Sequence, residues 1–139
     1  MNTSSIGNIG QAKVLTKFAE LGVPVYLPFG EGYVVDLIAE FNGELNKIQI
    51  KTTEKLHEDS YMKFRISRQD GFHGDKKDYT KDEIDYFALY CIETDIVLLV
   101  PIEDTNSGEF RVRLDNYEGT RTNKMHFVCD YQFENFIEI

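Results

Sequence analysis

Tyr33-Val-Val-Asp36-Leu-Ile-Ala-Glu40-Phe-Asn42-Gly43-Glu-Leu-Asn-Lys47-Ile-Gln49-Ile-Lys51 is the stretch on which the reading of the fold turns. Two runs of alternating apolar and polar residues flank Asn42-Gly43, the strongest short-range signal for a β-hairpin. Asn and Gly both tolerate the positive φ that a type I′ turn demands. A two-residue loop also sets the register: Phe41 opposite Glu44, Glu40 opposite Leu45, Ile38 opposite Lys47, and hence Asp36 opposite Gln49. A three-residue loop with a bulge would shift that pairing.

Side chains alternate across a strand. Asp36, Ile38 and Glu40 therefore share a face with Lys47, Gln49 and Lys51, while Val35, Leu37 and Ala39 share the other with Ile48 and Ile50. An acid, a carboxamide and an ammonium thus converge at the open end of the hairpin beside apolar residues. Taken alone, Gln49 and Lys51 fit an ordinary solvated strand face, and Asp36 a surface carboxylate. Their placement together is an odd way to build a plain core.

Upstream, residues 1–6 read as a polar lead-in, with Ser4 or Ser5 as helix N-caps. From Gly7 to Leu21 the apolar positions recur at spacings of three and four, which predicts a helix stopped by Gly22. Gln11 falls on the same stripe as Leu15 and Phe18. It either reaches water at the rim of the stripe or points over the hairpin's polar face, because an unpaired buried amide costs about 1–3 kcal/mol. Val23 to Phe29 reads as a short strand that Pro24 and Pro28 confine to an edge. Gly30-Glu31-Gly32 turns into the hairpin and brings Glu31 within a few residues of Asp36.

Downstream, residues 52–59 read as a charged connection and Tyr61–Ile66 as a strand. The polar stretch 67–78 holds Arg68, Gly71, His73, Gly74, Lys76 and Lys77, the most basic local region of the chain. It reads as a solvated loop or as a loop contacting phosphates or bases. Thr80-Lys-Asp-Glu83 has the form of a capping box and predicts a short helix. Tyr86–Cys91 and Ile96–Pro101 form an antiparallel pair around Glu93-Thr94-Asp95. Phe110–Leu114 is an edge strand, residues 116–124 a polar loop, and residues 130–139 a terminal helix carrying Tyr131, Phe133, Phe136 and Ile137.

The 139 residues suit one domain, spanning 1–139, with one core. The net charge of −9 argues against a general polyanion binder, though not against an enzyme with a locally basic cleft. No run is apolar and long enough for a membrane span, and the N-terminus lacks the parts of a signal peptide. A cytoplasmic protein follows, with Cys91 and Cys129 as buried thiols. His57, His73 and His126 lack metal-ligand spacing. There is no Ser–His or Cys–His arrangement and no phosphate-binding P-loop.

The order helix, strand, hairpin, strand, short helix, strands, helix is that of an α+β or mixed α/β fold. Gly7-Asn-Ile-Gly-Gln11-Ala, Pro28-Phe-Gly30, Asp36-Leu-Ile38, Gln49-Ile-Lys51 and Asp85-Tyr-Phe-Ala88, in that order, resemble the PD-(D/E)XK nuclease superfamily. The resemblance is to the branch of group I intron-associated endonucleases, whose third element is typically QxK, and it covers residues 6–102. It implies an αβββαβ core, a central mixed sheet flanked by helices, and hydrolysis of double-stranded DNA with Mg²⁺ or Mn²⁺. It also implies a cation held by Asp36, Gln49 and the backbone carbonyl of Ile50, with Lys51 orienting or ionising the attacking water. Val35 replaces the proline of the "PD" element. Gln11 stands where the family's first helix often carries glutamate, which leaves one carboxylate and two amides in a catalytic set of Gln11, Asp36, Gln49 and Lys51. The implied protein is a metal-dependent DNA endonuclease silenced or weakened at Gln11. The alternative is a degraded nuclease fold serving as a DNA- or protein-binding module. Family analogy adds a homodimer or higher homo-oligomer, which would match a two-fold DNA target.

Overall fold

The computed structural model describes residues 1–69 and 76–138. Helix α1 (Thr3–Glu20) opens the chain. Strands β1 (Val25–Tyr26), β2 (Leu37–Phe41) and β3 (Glu44–Thr53) follow, then β4 (Tyr61–Arg65), β5 (Ser67–Gln69), β6 (Lys76–Asp78), β7 (Tyr86–Cys91), β8 (Ile96–Pro101) and β9 (Glu109–Arg113). The central sheet runs β1-β2-β3-β7-β8. It is mixed, with β3 and β7 parallel and the other neighbours antiparallel.

The hairpin forms in the expected register, Phe41 opposite Glu44 through Leu37 opposite Ile48. Asn42 at φ 56° and Gly43 at φ 73° supply the two left-handed residues of the turn. The ladder of β2 starts at Leu37, and just before it the Asp36 N–H donates to the Ile48 carbonyl at 2.8 Å. The proline-flanked strand shrinks to Val25 and Tyr26 on the outer edge of β2.

The sheet separates two apolar clusters. On one face α1 lays Val14 and Phe18 against Leu37, Ala39, Ile48, Ala88 and Leu99. On the other, Phe87, Leu89, Leu98 and Val100 pack under Met62, Phe64, Phe110 and Val112 from the separate two-stranded sheet β4–β9. The helix approaches β3 closely through Gly10. A Cβ there would lie 1.8 Å from Thr52 Oγ1 and 2.9 Å from Thr52 Cβ. Gly10→Ala should therefore lower stability by about 1–3 kcal/mol through overpacking. Thermal denaturation of the variant checks this, and adding Thr52→Ala should recover only part of the loss because Cβ remains.

Four elements differ from expectation. Helix α1 begins at Thr3, not Gly7, because Asn2 caps it: Ser5 N–H donates to Asn2 Oδ1 at 2.8 Å. No helix follows Thr80. Thr80 N–H does donate to Glu83 Oε1 at 3.0 Å, yet the segment makes one turn only. Ile84 must enter the core, and Asp85 must pair with Lys47, exchanging Asp85 N–H to Lys47 O and Lys47 N–H to Asp85 Oδ2, both at 2.8 Å. The crossover between the parallel strands β3 and β7, usually helical, is here made of β4, β5 and β6. The basic stretch is in part the strand pair β5–β6, while Gly71, His73 and Gly74 lie outside the described residues.

The terminal helix is replaced by two 3-10 turns, Val128–Tyr131 and Phe133–Asn135, parted by Gln132 at ψ 146°. Tertiary anchors override the helical pattern there. Tyr131 enters one apolar cluster and Phe133 and Ile137 the other. Asn42 ties the tail to the hairpin turn, donating to the Phe136 carbonyl at 2.8 Å and accepting from Glu138 N–H at 2.7 Å. Cys91 is buried as expected, but Cys129 is exposed, and the two are not bonded.

Candidate active site

The site lies at the seam where the chain before β2 parts from β3. A cavity of about 380 Å³ opens there, lined by Gln11, Asp36, Gln49, Ile50 and Lys51, with Thr3, Asn8 and Thr52 at its margin. Every residue expected to act together does line one space. The layering, however, corrects the expectation that α1 covers the polar face of the hairpin. Gln49 and Lys51 pair with Phe87 and Leu89 in the sheet, whose side chains belong to the cluster opposite α1. Gln11 therefore reaches the cavity from the helix layer, at the edge of the sheet.

Each polar group is held by a definite partner. Asp36 Oδ2 accepts the Ile50 N–H at 2.7 Å, while no described residue hydrogen-bonds its Oδ1. Gln49 Nε2 donates to the Val34 carbonyl at 2.6 Å, which turns its amide oxygen the other way. Lys51 Nζ donates to the Tyr79 hydroxyl at 3.1 Å and sits 5.1 Å from the centre of that ring. Tyr79 is in turn fixed edge-on against Phe87, with the Arg68 guanidinium 5.3 Å from the centre of the Tyr79 ring. Arg68 pairs with Glu83 at 2.5 Å.

Burial pushes the Asp36 carboxyl above its usual range, and the Ile50 N–H and the nearby Lys51 charge pull it partly back. A raised carboxyl pKa marks a group held in place against its own desolvation, a common property of functional sites.

Tyr79 and the Val34 carbonyl were not legible in the sequence. Tyr79 follows the basic stretch with no periodicity to mark it, and a backbone acceptor carries no residue signature. Glu31 does come near: it lines a second cavity of about 330 Å³ with Gln11 and Asp36. Its side chain is exposed.

A hard divalent cation takes oxygen donors, one or two of them carboxylates, with waters completing its shell. Asp36 Oδ1 and the amide oxygens of Gln49 and Gln11 are such donors. Among the described residues, no three His, Cys, Asp or Glu side chains gather into a metal-binding cluster. The set therefore fits a weakly held, largely hydrated ion, not a dehydrated cage.

A single helix against a mixed sheet, with an Asp and a Gln-x-Lys strand meeting at a seam, defines a restriction-endonuclease-like fold. The chain belongs to the PD-(D/E)XK endonuclease family, whose model matches residues 1–134. Among solved structures it is similar to a bacterial homing endonuclease, I-Ssp6803I, at 19% identity and TM-score 0.73, covering 89% of this chain and 86% of that one. It is also similar to MepB, at 17% identity and TM-score 0.50, covering 81% of this chain and 87% of that one. At these identities the likeness concerns the fold. No curated protein matches the sequence. Among the described residues, no helix is long and apolar enough to cross a membrane.

Proposed function

We propose that this chain is a divalent-metal-dependent endonuclease that hydrolyses phosphodiester bonds in double-stranded DNA. The observation that carries this is the convergence of Asp36, Gln49, Lys51 and Gln11 on one cavity in a chain of an endonuclease family. Asp36, Gln49 and the Ile50 carbonyl would hold Mg²⁺ or Mn²⁺. The bound ion would polarise the scissile phosphate and lower the pKa of a water beside it. Asp36 keeps one carboxylate oxygen for this task because the Ile50 N–H engages only the other. Gln49 orients its carbonyl oxygen through its bond to Val34. Lys51, steadied by Tyr79, neutralises charge that builds on the phosphate as the bond breaks. Gln11 can orient water but carries no charge.

Lys51→Ala should reduce cleavage by about 10²–10³-fold, the size expected for losing one preorganised donor, while duplex binding persists. Tyr79→Phe, which keeps the ring and removes the hydroxyl, should give a smaller loss in the same direction. Plasmid nicking in Mn²⁺ checks both. Equal rates for native and Lys51→Ala protein would remove Lys51 from the mechanism.

One observation favours a second reading. With a single charged donor in the cavity, the fold would act as a binding module whose chemistry has lapsed. Calorimetric titration with Mn²⁺ separates the two: no heat at millimolar metal, with no cleavage of any DNA, supports the module. By family analogy we also infer a homodimer or higher homo-oligomer, which sedimentation would test.

A further inference from the structure

The chain is acidic overall, at −9, yet one element runs against that balance. In the two-stranded sheet β4–β9 the residues alternate strictly. Met62, Phe64, Phe110 and Val112 face inward and are buried. Outward, in register, stand Tyr61 opposite Arg113, Lys63 opposite Arg111 and Arg65 opposite Glu109. Lys63, Arg65 and Arg111 are exposed and Arg113 is half-buried. Glu109 is the one acid among these six positions, and Arg111 Nε already donates to it at 3.1 Å.

The guanidinium groups are preset rather than loose. Arg111 and Arg113 lie 5.2 and 5.3 Å from the centre of the Tyr61 ring. Arg113 is 4.5 Å from that of Tyr117, and donates to Ser60 Oγ at 3.3 Å. Tyr61 is thereby 6% exposed although it sits on the outer face. Stacking fixes each planar fork with donors left over, the form in which Arg meets phosphate. A groove of about 290 Å³ beside β9 adds Lys124 to Arg111 and Arg113.

The ribbon also stands on the useful side of the molecule. Its buried residues pack on the sheet face that holds Phe87 and Leu89, the residues paired with Gln49 and Lys51. It therefore shares a side of the central sheet with Lys51, opposite α1. Two paired strands about 4.8 Å apart are narrow enough for the major groove of B-DNA, about 12 Å wide.

From this charge complementarity we infer that the outer face of the β4–β9 ribbon is a second contact surface for duplex DNA. Lys63, Arg65, Arg111 and Arg113 engage phosphates there while the seam cavity holds the scissile bond. The inference rests on the endonuclease reading and deepens it. The ribbon supplies the affinity that an acidic chain otherwise lacks.

The test is duplex binding in chelator, so that no cleavage intervenes, across a range of salt concentrations. Each phosphate contact contributes a slope of about 0.9 in log K against log salt. The triple variant Lys63→Gln, Arg65→Gln, Arg111→Gln should lose about 2 to 3 of that slope and roughly 100-fold in affinity near 0.15 M salt. A control variant Lys13→Gln, Lys55→Gln, Lys81→Gln, with the same net charge, should keep the native slope. Arg65→Lys with Arg111→Lys should keep it too. The substituted side chains are exposed, and circular dichroism would verify the fold. A triple variant with the native slope and affinity overturns the inference while leaving the endonuclease reading intact. So does equal weakening by the control, or a change of oligomeric state with an unchanged slope, which would assign the ribbon to an acidic face of a second copy. A native chain that neither binds nor cuts duplex DNA overturns both readings together.

Discussion

Asp36→Asn is expected to abolish metal-dependent cleavage while making the protein no less stable at neutral pH. The activity loss follows from the donor set: Asp36 is the one carboxylate lining the seam cavity. Without it the site offers only neutral oxygens, which serve Mg²⁺ poorly. Losing several kcal/mol of charge stabilisation corresponds to a fall of roughly 10³-fold or more. The stability effect has the opposite sign. Burial raises the folded-state pKa of Asp36 above its unfolded value, so ionising it works against the fold. That contribution to stability is fully present below the unfolded pKa and is lost as pH rises through the folded pKa. Asparagine is neutral throughout, and its side-chain oxygen can still accept the Ile50 N–H. Melting curves should therefore show the variant at or above the native chain near pH 7, the advantage shrinking as pH falls through the raised folded-state pKa and gone below about 4. A variant that melts well below the native protein at pH 7 would assign Asp36 a structural role instead. The same shift predicts that Mn²⁺ affinity of the native chain declines as pH falls through a value above the ordinary carboxylate range, since the cation competes with the proton.

Gln11→Glu should act in the reverse sense. Gln11 lines both cavities that Asp36 lines, so glutamate there adds a second charged donor to the same space. Metal affinity follows ligand charge, and we expect Mn²⁺ binding tighter by about 10- to 100-fold with a parallel rise in cleavage rate. In chelator the two carboxylates repel, and the variant should melt below the native chain. Added metal should reverse the order, because a ligand that binds only the folded state stabilises it in proportion to the logarithm of its saturation. The crossing of the two melting series is the diagnostic result. A Gln11→Glu chain whose melting ignores metal and whose activity is unchanged would count against a cation at this cavity. Lys51→Ala introduced into that variant should remove the added cleavage and leave the metal-dependent melting in place, separating the roles of the two residues.

Local chemistry in the sequence accounts for a large part of this molecule. Asn42-Gly43 dictated a two-residue turn, and that turn dictated the register to the residue, because each step of slip would exchange the buried and exposed faces. From the register alone Asp36 meets Gln49, and Lys51 lies one alternation further on. The recurrence of Gln11, Val14, Leu15 and Phe18 at spacings of three and four dictated the helix. What lay beyond local chemistry was decided by packing. The side of the sheet on which α1 settles depends on where Gly10 can meet Thr52. The capping signal at Thr80 and the apolar pattern of the tail are both helical in isolation. Both yielded because burying Ile84, Tyr131, Phe133 and Ile137 at fixed places outweighs the few hydrogen bonds that a short helix adds. The partner that steadies Lys51 is Tyr79, distant in sequence and silent in pattern, and the basic face of β4–β9 exists only once two separated strands pair. A chain specifies its turns and periodicities by itself; which surfaces meet across the sheet is a property of the packed core.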